Sequence, residues 1–119
     1  MHDSVIMELR VARQGDTSDT VDIRLKYIDD YDTMETSYRL LRFSGCYKLH
    51  CDINFGVDSP DSILKTERVE SSELIQKVKM KFPLIREQLS SALNHYRIET
   101  STSGSTIDLV AKQVELISL

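Results

Sequence analysis

The side chains best able to do chemistry in this 119-residue chain are few and scattered. His50 and Asp52 stand two apart in an alternating segment, so on a strand both project from one face, where they could orient a metal ion or exchange a proton. Two ligands are too few for zinc, and no HxH, HExxH or Cys/His cluster supplies the rest, so the reading calls for no metal. The expectation for His50 and Asp52 is an exposed polar face opposite Leu49, Cys51 and Ile53. A site assembled from distant residues, with His95 joining His50 and Asp52, is the one route to a small enzyme or ligand-binding domain.

Asp29, Asp30 and Asp32 crowd carboxylates around Tyr31 in a short interruption, the kind of charge that attracts a hard cation. Counting from Asp29 or Asp30, the sixth-position Gly and twelfth-position Glu of an EF-hand are missing, which favours a polar turn or an acidic surface for a basic partner. Cys46 and Cys51 fall in what reads as one strand, roughly 16 Å apart at about 3.3 Å per residue and on opposite faces, so they do not bond to each other. No CxxC, GxSxG, SxxK, phosphate loop or dinucleotide fingerprint is present, so no catalytic residue and no cofactor is assigned.

Charge narrows the partner classes. The formal net charge is −4, and seven acids against two bases fall between Asp16 and Glu35, whereas Lys77, Lys79, Lys81 and Arg86 form a basic stretch. On a helix these cations do not share one face, and the overall sign opposes phosphate backbones, so nucleic acid is disfavoured. There is no Trp, but there are five Tyr, a residue suited to interfaces because an apolar ring carries a polar tip. Tyr31 in a turn and Tyr96 beyond a helix are the tyrosines expected to contact a partner.

The elements that must position these residues are mostly strands. Period-two alternation runs through Val5 to Val11, Val21 to Tyr27 and Tyr47 to Phe55, and Thr36 to Phe43 is rich in β-formers and apolar on both faces, a candidate central strand. Ser44-Gly45 reads as a tight connection between the last two. Ile63 to Val69, Tyr96 to Thr100 and a final strand complete the set; in that last strand Ile107, Leu109 and Ala111 share one parity and Val114 and Leu116 the other, which predicts a β-bulge near Lys112. Between them Leu74, Val78, Phe82, Ile85, Leu89 and Leu93 recur at helical spacing, divided by Pro83 into two short helices ending near Asn94-His95. Alternation of Val78, Met80 and Phe82 with lysines leaves a strand over 76–82 as the rival.

These elements predict a single α+β domain over residues 1–119, an antiparallel sheet of six or seven strands with a two-helix insert before the last two; a small β-sandwich with a helical appendage is the alternative. No apolar run approaches the roughly 20 residues of a membrane span and no secretory signal opens the chain, so a cytoplasmic address and no membrane contact are expected. The functional expectation is a noncatalytic protein-interaction domain of regulatory or immunity type, the latter by analogy of size and charge alone. A third reading is a homodimer formed through the terminal strand Ile107 to Leu116.

Overall fold

The computed structural model describes residues 4–13, 19–30, 32–56, 62–69, 73–81 and 93–119. Six antiparallel strands, β1 (Ser4–Ala12), β2 (Thr20–Asp30), β3 (Glu35–Asp52), β4 (Ile63–Val69), β5 (Asn94–Thr100) and β6 (Thr106–Ser118), form one sheet in the order β1-β2-β3-β6-β5-β4. One helix is described, α1 (Glu73–Lys81). An isolated antiparallel bridge, Val5 to Ser62, ties β1 to the start of β4, so the two ends of the sheet curl round until they touch.

Curling turns one face inward. Val21, Ile23 and Leu25 from β2, Leu41 and Phe43 from β3, Ile63 beside them, Ile98 from β5 and Ile107, Leu109 and Ala111 from β6 are all buried in one cluster. Their cross-strand pairing (Val21 with Phe43, Ile23 with Leu41, Ile107 with Ile98) puts apolar side chains opposite one another, which fixes the register because a one-residue slip would turn them all to solvent. Outside, Arg42 holds Asp22 through Nε at 2.9 Å and Nη2 at 3.1 Å, a two-bond clasp across β2 and β3 that raises the arginine further above its ordinary value.

The expected connection at Ser44-Gly45 is instead the interior of an 18-residue strand. Gly45 adopts φ +62 and lies against Lys112; a Cβ there would stand 2.8 Å from Lys112 Cδ. The residue provides a bend without a break, since only glycine takes that backbone conformation without steric cost. The face switch foreseen near Lys112 is present, with Ala111 and Val114 both packed on the one core. The extra residue lies on the partner strand, where the register shifts between Cys46 and Lys48. That shift also corrects the cysteine geometry: Cys46 pairs with Ala111 and Cys51 with Ile107, so both thiols fall on the core side rather than on opposite faces.

Residues 73–81 are helical, not a strand, because Leu74, Ile75 and Val78 cluster at helical spacing against Val110, Leu93 and Tyr47 on the outer face of the sheet. A second helix begun by Pro83 would fall within 82–92, outside the described residues, so the described fold has one helix rather than a two-helix insert. Asn94 and His95, expected at a helix end, belong to β5, paired with Ala111 and Val110. The expected two-sided burial of Thr36 to Phe43 is not seen: Leu41 and Phe43 are buried, while Tyr38 is exposed.

Candidate functional site

Besides a cavity of about 280 Å³ where Tyr96 meets Leu41, Phe43 and Val114, the described residues form two concave regions of contrasting character, one apolar and one polar. The apolar one opens at an end of the curled sheet, a cleft of about 560 Å³ between Ile6 to Leu9 of β1, Cys51 to Gly56 and the β5–β6 turn. Phe55 is 88% exposed, with Met7 at 53% and Ile53 at 41% beside it. The alternation that made Tyr47 to Phe55 look like one strand continues past the strand, which ends at Asp52.

The segment carrying Ile53 and Phe55 is tied down. Asn54 donates its backbone N–H to Ser105 Oγ at 2.9 Å and its Nδ2 to the Ser103 carbonyl at 3.0 Å. Thr100 and Ser105, both buried, brace that turn from within: Ser105 N–H donates to Thr100 Oγ1 at 3.0 Å, and Thr100 N–H to the Ser105 carbonyl at 3.0 Å. Phe55 thus stands exposed directly after a residue bonded to the β5–β6 turn through both its backbone and its side chain.

Cys51 lines this cleft, while Cys46 is packed against the core. Burial pushes the Cys46 thiol up to about 11, with the carboxylates of Asp19 and Asp22 adding to the rise against a hydrogen bond involving the Val21 backbone. Burial, then the charge of Asp108, raises Cys51 as well. Neither is tuned as a nucleophile, which would require the opposite shift.

The polar region is a cleft of about 260 Å³ between α1 and the outer sheet face, lined by His50, Val69, Glu73, Leu74, Lys77, His95, Arg97 and Asp108. His50 of β3 stands opposite Asp108 of β6, which stands opposite Arg97 of β5. His95 Nε2 lies 2.7 Å from Asp108 Oδ1, both side chains nearly buried. Thus His50 and His95, distant in sequence, reach one cleft, but Asp52 is not among its lining residues. No group of three His, Cys, Asp or Glu side chains suited to a metal occurs among the described residues.

The residues singled out for interaction are not brought together. Asp29 Oδ1 accepts from Ser37 Oγ at 3.1 Å and Asp30 Oδ1 accepts from the Asp32 N–H at 2.9 Å, so two of the three carboxylates serve the β2–β3 turn. Tyr31 lies outside the described residues. Tyr96 is half-buried with its ring on Phe43 at 5.4 Å between centroids. Asp30 pairs with Glu35, eight residues before Phe43 on β3, which sets the acidic turn about 26 Å from Tyr96's partner at about 3.3 Å per residue. Other tyrosines are likewise engaged, Tyr38 under Arg24 at 5.2 Å and Tyr27 under Arg39 at 4.3 Å.

Sequence reasoning missed Met7 and Phe55, which it assigned to ordinary strand faces, and Asp108; it weighed Lys77 within a basic stretch for phosphate backbones but not its convergence with Arg97 and Asp108, which depends on strand order. Comparison of the chain with protein-family models and with curated proteins gives no match. No helix among the described residues is long and apolar enough to cross a membrane.

Proposed function

We propose that the protein is a noncatalytic binding domain, regulatory or neutralising in role and working in the cytoplasm, that takes an apolar segment of a protein partner into the cleft framed by Met7, Ile53 and Phe55. The single observation that carries this reading is Phe55, 88% exposed on a segment anchored by Asn54. An aromatic ring left in water forgoes about 1.5–3 kcal/mol of burial, an amount recovered when a partner covers it. Interface energy concentrates in such rings, and the surrounding apolar rim excludes water from them.

The acidic turn at Asp29, Asp30 and Asp32 then contributes long-range attraction to a basic partner surface rather than contact area. A homodimer through Ile107 to Leu116 is the less favoured arrangement, because the first half of that segment, Ile107 to Ala111, is hydrogen-bonded to β3 on one side and β5 on the other. The test is affinity purification from host cells of the tagged protein beside its Phe55→Ser variant. A stoichiometric partner present with the former and lost with the latter is the expected result; a partner retained equally by both contradicts the assignment of the cleft. Light scattering on the purified protein identifies a second copy as the occupant if the mass doubles and Phe55→Ser restores the monomer.

A further inference from the structure

We propose that the cleft between α1 and the outer face of β3, β6 and β5 binds a small ligand through an oxyanion group, a phosphate or a carboxylate, held by Lys77, Arg97 and His50. This inference is independent of the apolar cleft. The three donors come from three different elements, α1, β5 and β3, and line one cavity. Its volume of about 260 Å³ lies below the range of roughly 300–1,000 Å³ typical of whole-ligand pockets, so it suits a head group with the remainder of the ligand outside.

The charges in the cleft decide what it accepts. Asp108 lines the cleft as a nearly buried carboxylate with its Oδ1 2.7 Å from His95 Nε2, and an incoming anion is held by the cations in spite of it. Arg97 Nε is 3.3 Å from Glu99 Oε1 but is buried and makes no hydrogen bond, so the guanidinium's donors are not saturated by that neighbour. Lys77 is exposed on the helix, one turn after Glu73. Glu73 and Asp108 are the acids among the lining residues that oppose an incoming anion; Glu73 is exposed, so solvent and salt weaken its effect. An oxyanion bridging Lys77 and Arg97 satisfies both cations at once, and His50, directly across from Asp108, closes the third side.

The experiment is NMR titration of the full chain with inorganic phosphate and, separately, acetate, following backbone amides and the ring signals of His50 and His95. Saturable shifts confined to this cleft with a Kd of about 1 mM for one or both ions are expected, and Lys77→Gln or Arg97→Gln should weaken the effect about tenfold. The ion that saturates identifies phosphate or carboxylate as the group recognised. Absence of saturable shifts with both ions overturns the proposal, as does binding unchanged in the variants. Lys77 is an exposed helical position, so Lys77→Gln remains decisive if Arg97→Gln fails to fold.

Discussion

The two clefts differ in how their side chains are satisfied. Under α1, His95 and Asp108 are paired within the molecule at 2.7 Å, so that pair contributes to holding β5 and β6 in register. At the mouth of the curled sheet the reverse holds: the polar atoms of Asn54 and Ser105 are engaged in anchoring, and what they leave facing water is apolar, Met7, Ile53 and Phe55. Paired polar groups report on folding, whereas an anchored but uncovered apolar surface reports on association. A substitution at the His95–Asp108 pair should therefore register in stability, and one at Met7, Ile53 or Phe55 in partner binding.

The largest expected effect comes from Asp108→Ala, which removes the group that His95 Nε2 meets and leaves a void beside the buried ring; a loss of about 1–3 kcal/mol by chemical denaturation is expected, and an unchanged midpoint would dissolve the contrast between the clefts. Next is Gly45→Ala, which places a Cβ against Lys112 at positive φ and should cost about 1–2 kcal/mol, moderated because Lys112 can shift. Asn54→Ala removes the side-chain bond to Ser103 and should cost about 1 kcal/mol or less in stability. It should weaken partner binding more than it weakens folding, since it removes one of the two bonds that anchor the segment bearing Phe55; equal effects on both would show that the anchor serves only the fold.

At neutral pH the smallest effects are those of the cysteines, whose titration matters only in alkaline solution. Because the Cys46 thiol is raised to about 11 from an ordinary 9.0, the folded state holds its proton more tightly than the unfolded chain. Stability from this source is complete below the ordinary value and declines as pH rises through the folded value, so the denaturation midpoint should fall between pH 9 and 11 and do so less in Cys46→Ala. Alkylation near neutral pH should reach Cys51 in the exposed cleft before Cys46; faster labelling of Cys46 would contradict the packing described for it.

Much of the sheet was legible because period-two alternation survives wherever one face is buried, as in Val21, Ile23 and Leu25. The parity change after Ala111 marked where the core side switches along β6, although the extra residue belongs to β3. Gly45 misled because the same residue that permits a turn also permits a bulged bend, and only the partner strand decides between them. The sites were less legible. Asp108 sits between Ile107 and Leu109 as an ordinary outward position, and its meeting with His95 follows from β5 lying beside β6, a long-range pairing with no local signal. Phe55 was hidden by its own regularity: it continues the alternation of β3 past the point where hydrogen bonding stops, so an exposed ring looked like a buried one.

The most direct test of the apolar cleft as the binding surface is photo-crosslinking in host cells, with a photoreactive side chain placed at Ile53 in one strain and at Lys26 of β2, outside the cleft, in another. A discrete protein adduct from position 53 and none from position 26 is the result predicted. Adducts from position 26 alone, or equal yields from both, would contradict the account and move the interaction surface away from the mouth of the sheet.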